Sequence, residues 1–138
     1  QENVIPNEVV ATFEMRHMDK AVTDQFYADI QAMAKEISNC EFTFVNTVAK
    51  YSTPCDPALI DTIDHVCTRL NISHIIMPSG AGHDANPMAH EGVPIGMVFV
   101  PSVKGISHHG DEWTDPKHID LGADVLYETV LALDKTDL

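Results

Sequence analysis

Basic residues are scarce. Lys and Arg together number 8 against 21 Asp and Glu, a formal net charge of −13, so the chain repels phosphate backbones and anionic lipid surfaces, and neither nucleic acid nor a membrane is an expected partner. Cysteine is thin as well: Cys40, Cys55 and Cys67 are odd in number and form no CxxC pair, which argues against a disulfide framework and a zinc ribbon. Reduced thiols of this kind fit a cytoplasmic location. No apolar run approaches the roughly 20 residues of a membrane span, and the opening QENVIPNEVV lacks the basic and apolar regions of a secretory signal. An initiating Met is also missing, so the chain is expected to begin partway through something longer. No repeat or low-complexity segment stands out. What remains is the composition of an ordinary globular domain, 138 residues with 44% hydrophobic and 21% charged, long enough for one core.

Strand and helix patterns alternate along the chain. In VVATFEMRH, Val9, Ala11, Phe13 and Met15 share one face while Thr12, Glu14 and Arg16 share the other, the period of a half-buried strand. Asp19 is placed to cap a helix carrying Val22, Phe26, Ile30, Met33 and Ile37 at helical spacing. EFTFVNTVAKY then reads as a second strand. After the break at STPCDPAL, Asp56-Pro57 is a helix-start signal, since Pro has no N–H to lose at the first helical position. Ile60, Ile63, Cys67 and Leu70 supply that helix's apolar stripe. VPIGMVFV, residues 93–100, is continuously apolar and predicts a strand covered on both faces. A closing helix is expected from near Asp120 with Leu126, Val130 and Leu133 on its apolar side. The fold class is therefore α/β, divided at about residue 53 into a β-α-β piece and an α-loop-β-loop-α piece. Neither piece is complete alone, because a two-stranded sheet with one helix is marginal.

Polar chemistry gathers after the apolar run. GISHHGDEWTDPKHID, residues 105–120, holds three histidines, three aspartates and a glutamate, beyond the carboxyl end of a predicted strand, where ligands collect in open α/β sheets. His108 is the leading candidate ligand there. His109, Glu112 and His118 match neither an HExxH helix nor a zinc-finger spacing, and are read as solvated or as partners that orient a ligand. PSGAGHDA is a second candidate: its glycines can present backbone N–H groups to an anion, and His83 and Asp84 can hydrogen-bond a ligand. The plainer reading is a Gly-rich turn with Asp84 capping the next helix.

Taken together and in order, NVIPNEVVATFEMRH, PSGAGHDA, MVFVPSVKGISHHGDEWT and LGADVLYETV resemble the C-terminal part of the hydantoinase/carbamoylase family of metal-dependent amidohydrolases. That family includes N-carbamoyl-L-amino acid hydrolases, allantoate amidohydrolases and ureidoglycolate hydrolases, and is similar to the di-zinc aminoacylase-like metallopeptidases. The resemblance implies that residues 1–53 form the C-terminal half of a lid and dimerisation domain, and that residues 54–138 form the C-terminal part of a metal-dependent catalytic domain. It implies His108 as a ligand to one of two divalent ions, Zn, Mn, Co or Ni. It implies Arg16 as the receiver of a substrate carboxylate across a homodimer interface, accompanied by Asn3, with Gly82 and His83 also contacting substrate.

The activity so implied is metal-assisted hydrolysis of a carbamoyl or ureido C–N bond in a small carboxylate substrate, a non-peptide linear amide. The general base and the other ligands are not among these residues, so no catalytic residue is assigned and the chain alone is expected to be inactive. Two rival readings stand beside this one. One is a self-contained metal- or small-ligand-binding module built on His83, His90, His108 and His109. The other is a dimerisation module without hydrolytic activity.

Overall fold

The computed structural model describes residues 3–47 and 52–135, which fall into two compact units, Gln1–Ser52 and Thr53–Leu138. In the first, α1 (Lys20–Lys35) starts at Asp19, whose carboxylate accepts from the Ala21 amide at 2.9 Å, and Lys35 in the last turn complements the helix dipole. Which side of α1 is covered differs from the expected stripe. Thr23, Tyr27, Ile30 and Ala34 are half-buried, Tyr27 meeting Phe44 edge-on at 6.1 Å, while Val22, Phe26 and Met33 stay exposed. Helical spacing leaves two adjacent apolar stripes, and the packing partner decides which is covered.

The second unit contains α2 (Pro57–Arg69), α3 (Ala85–His90) and α4 (Pro116–Leu133), with a single 3-10 turn at Val103–Gly105. Asp56 caps α2 through the Ala58 amide at 2.8 Å and the Leu59 amide at 3.3 Å. The same Asp-Pro device recurs at Asp115-Pro116, whose carboxylate accepts from the Lys117 amide at 3.0 Å, so α4 begins four residues before the expected Asp120. Helices α2 and α4 pack on each other through buried Val66, Cys67 and Val125, with Ile63, Leu70, Ile72, Val98 and Ala132 around them. Arg69 and Glu128 bridge the rim at 2.7 Å. Here too the expected stripe of α4 is displaced: Val125 and Thr129 are buried, while Leu126 and Val130 are mostly exposed.

Residues 93–100 lie along this helix pair. A side chain at Gly96 would come within 3.0 Å of Leu59, and one at Gly122 of α4 within 2.5 Å of Val100, so both glycines allow close approach. Gly96, Val98 and Val100 thus face the helices, while Phe99 points the other way, toward His83. The alternation is that of extended chain. The Ile95 carbonyl accepts from the Asp56 amide at 2.8 Å and ties the run to the start of α2.

The α/β expectation is met only in its helices. None of the expected strands at 9–17, 41–51 or 93–100 carries a strand ladder among the described residues, and residues 48–51 of the second lie outside them. Among the described residues of 1–53 the β-α-β arrangement is therefore not formed, and the run 93–100 lies against α2 and α4 without a neighbouring strand. A strand exists only through hydrogen bonds to a neighbour, so a segment of strand-like pattern without a partner strand stays an unpaired ribbon. The uncovered surface has the same origin. The chain exposes 11,874 Å², whereas two separate folded domains of these sizes would expose about 8,500 Å² together. Ile75, Ile76, Met77 and Phe99 are all at least half exposed.

Candidate functional site

The loop that leaves residue 100 is closed on itself. The Val103 amide donates to the Trp113 carbonyl at 2.8 Å, and the Ser102 hydroxyl to the Ile106 carbonyl at 2.6 Å. Within it, Lys104 and His108 both have left-handed backbone, φ 59° and 55°. Each such non-glycine residue costs about 1–2 kcal/mol unless surrounding bonds hold it. At His108 they do: its amide donates to the Glu112 carboxylate at 2.8 Å, while the Glu112 amide donates back to the His109 carbonyl at 3.0 Å.

The three histidines of this region play different parts. The His109 ring is engaged locally, its Nδ1 accepting from the Asp111 amide at 3.1 Å. His118 lies in the first turn of α4, where its charge helps Lys117 hold the Asp115 carboxyl below the usual range, the Lys117 hydrogen bonds being the larger influence. His108 presents its imidazole to solvent, and among the described residues that ring has no hydrogen-bond partner. Both of its ring nitrogens are thus open to a ligand, whereas His109 has one engaged. Glu112, by contrast, is occupied as an acceptor for backbone.

At the second candidate, His83 is half-buried, with Nε2 2.7 Å from the Ser79 hydroxyl and its ring 5.5 Å from that of Phe99. Ser79 also accepts from the Ala81 amide at 3.2 Å. Ser79 and Phe99 were not singled out from the sequence. The four-residue spacing of Ser79 to His83 was visible, but the reach of Phe99 across sixteen positions was not. Asp84 occupies the N-cap position of α3 without a side-chain capping bond. Gly82 has open space where a side chain would project and no backbone angle that demands glycine, so nothing within the described chain explains a glycine there.

Arg16 and Asn3 belong to the first unit. Arg16 bonds Glu14 two residues earlier, Nε to Oε1 at 2.7 Å, which places both on one side as extended chain requires. With Met15, His17, Val22, Thr23 and Phe26 it lines a surface groove of about 220 Å³. Asn3 is exposed in a turn. Among the described residues no three His, Cys, Asp or Glu side chains gather closely enough to hold a metal ion. His83, His90, His108 and His109 are thus not brought together as the self-contained metal module would need. No helix among the described residues is long and apolar enough to cross a membrane.

Residues 4–132 match the family model of peptidase family M20/M25/M40. The chain belongs to this family. It is 35% identical to an N-carbamoyl-L-amino-acid amidohydrolase of a Pseudomonas species, over 94% of this chain and 32% of that protein. It is 34% identical to the allantoate amidohydrolase of Escherichia coli, over 82% of this chain and 28% of that protein. Among solved structures, a chain from Burkholderia cenocepacia described as an amidohydrolase/peptidase superposes with a TM-score of 0.75 at 35% identity, covering 88% of this chain and 30% of that one. The carbamoylase-type resemblance read from the motifs is borne out at the level of family. The chain spans about a third of the length of these relatives.

Proposed function

We propose that this chain is part of a metal-dependent amidohydrolase that cleaves the carbamoyl or ureido C–N bond of N-carbamoyl-L-amino acids or allantoate-like substrates. The observation that carries the reading is the similarity, over nearly the whole chain, to relatives named for those activities. In this reading residues 1–53 belong to a lid and dimerisation domain and residues 54–138 to a catalytic domain. The homodimer and a cytoplasmic location are part of the same proposal.

His108 fits a metal ligand: it is a neutral-capable imidazole, exposed, without another hydrogen-bond partner among the described residues, and backed by a braced backbone. It is one ligand, and the rest of the set for two divalent ions, Zn, Mn, Co or Ni, comes from outside these residues. When bound, such ions supply Lewis acidity and lower the pKa of water. The chain's own residues bind and orient. The Arg16 guanidinium receives the substrate carboxylate bidentately, with Asn3 beside it, which a lysine could not reproduce. Gly82 leaves room for substrate to approach the backbone, and His83, steadied by Ser79 and Phe99, offers its remaining ring nitrogen as a hydrogen-bond partner.

The test compares the isolated 138-residue chain with the complete enzyme on N-carbamoyl amino acids and on allantoate. The isolated chain should turn over neither with added Zn or Mn, while the complete enzyme should lose activity to a chelator and regain it with metal. Metal-dependent turnover by the isolated chain that survives repurification would sink the reading, as would a complete enzyme indifferent to chelation.

A further inference from the structure

We propose that Glu112 is the positioning residue for His108, acting through the backbone rather than as a metal ligand or a base. The inference rests on the reading of His108 as a ligand. Three observations converge on it. The His108 backbone is left-handed at φ 55°, a conformation histidine does not hold by preference. The Glu112 carboxylate accepts from the amide of that same residue at 2.8 Å, a charge-assisted bond that compensates the conformation. The returning bond from the Glu112 amide to the His109 carbonyl at 3.0 Å closes a small ring around the turn, and the Val103 to Trp113 bond closes the loop outside it.

The geometry thus separates two tasks that the residue types alone leave mixed. His108 keeps its imidazole free, because the strain of aiming it is carried by a neighbour that bonds main chain. Glu112 is less available for a metal than its exposure suggests, because one oxygen is already spent on the His108 amide. The partners that orient a metal ligand commonly contact the ring of a histidine; here the contact is to its amide, and the direction of the side chain is set by holding φ.

The test uses the complete enzyme and four proteins: wild type, His108→Ala, Glu112→Ala and Glu112→Gln. Zinc affinity is measured by competition with a chromophoric chelator, and amide exchange over residues 105–113 is followed in the metal-free state. Removing the carboxylate in Glu112→Ala should weaken binding of one ion by about tenfold or more and speed exchange of the His108 amide. Glu112→Gln, whose amide oxygen can accept the same bond, should restore most of the affinity and the slow exchange. If Glu112→Gln loses the ion as fully as Glu112→Ala, Glu112 is itself a ligand and the positioning role is wrong. It is equally wrong if Glu112→Ala binds zinc like wild type while His108→Ala has lost an ion. Retention of both ions by His108→Ala would instead bring down the ligand reading beneath it, and the inference with it.

Discussion

Arg16 shows how a single side chain can matter to substrate and little to the fold. It is exposed and bonds a glutamate that is also exposed, an arrangement that contributes little to stability. In the complete enzyme, Arg16→Lys should therefore leave the melting temperature nearly unchanged yet cost roughly 1.5–3 kcal/mol in transition-state binding, the scale of hydrogen bonds to charged groups. Comparing kcat/KM for a carboxylate substrate and for its neutral amide analogue checks the role, because the defect should shrink on the amide; equal defects on both would remove it. Cys67 illustrates the opposite case. Its thiol is buried, and burial followed by the charge of Asp64 pushes its pKa up, so it behaves as a small core hydrophobe. His108 and Arg16 stand out in the sequence as residue types in a motif, whereas Glu112 is left there between solvation and orienting a ligand, because a carboxylate that bonds an amide four residues back looks the same in sequence as one in solvent or offered to a metal.

Helix α2 is held at both ends, and each end can be tested. Asp56→Ala removes the acceptor for the Ala58 and Leu59 amides and should cost about 1 kcal/mol in denaturant unfolding of the complete enzyme. Asp56→Asn, which keeps an acceptor, should recover most of it. Beyond the other end, His74 Nε2 lies 2.7 Å from Asp64 of α2 while its Nδ1 meets the Ile72 carbonyl at 2.9 Å, so the chain leaving the helix is lashed back to it. The Asp64 hydrogen bond first, and then the Ile72 carbonyl, raise the His74 pKa above its ordinary 6.5. A raised value in the folded state means that the pair's contribution is fully present below that ordinary value and is lost as pH rises through the folded one. An NMR titration of His74 should show a midpoint above that of an unperturbed histidine, falling in Asp64→Asn; no change in that variant would contradict the pairing. The Asp56-Pro57 start and the stripe of α2 were readable because caps and apolar spacing act over one or two turns, while the same signal at Asp115-Pro116 was passed over for Asp120. The covered faces of α1 and α4 were not, since Tyr27 and Phe44, or Val125 and Cys67, meet only through the fold.

At the scale of the whole molecule, Ile75, Ile76, Met77 and Phe99 and the Val22, Phe26 and Met33 stripe of α1 stay open, and among the described residues the ligands for two metal ions are not gathered. Both features fit a chain that contributes to a larger assembly. If Arg16 serves the active site of a neighbouring subunit, an inactive Arg16→Ala enzyme mixed with an inactive His108→Ala enzyme should regain activity after subunit exchange, because one site of the mixed dimer then has both residues intact. The regained activity should not exceed about a quarter of wild type for statistical mixing at one productive site per heterodimer. No recovery once heterodimers are shown to form would mean that both residues of a site come from the same subunit. The sequence by itself determined what acts locally: the helix starts at Asp19 and Asp56, the extended backbone around Arg16 and Val98, the acidic charge, and the ordered motifs that mark the family. Only the tertiary structure decided which stripe of a helix is buried, that Gly96 and Gly122 let the apolar run seat on α2 and α4, that His108 is open while His109 is engaged, and that Ser79 and Phe99 hold His83. Local propensity and capping depend on neighbours a few bonds away, whereas burial, strand pairing and the availability of a ligand depend on which distant segment arrives, and a periodic pattern does not carry that information.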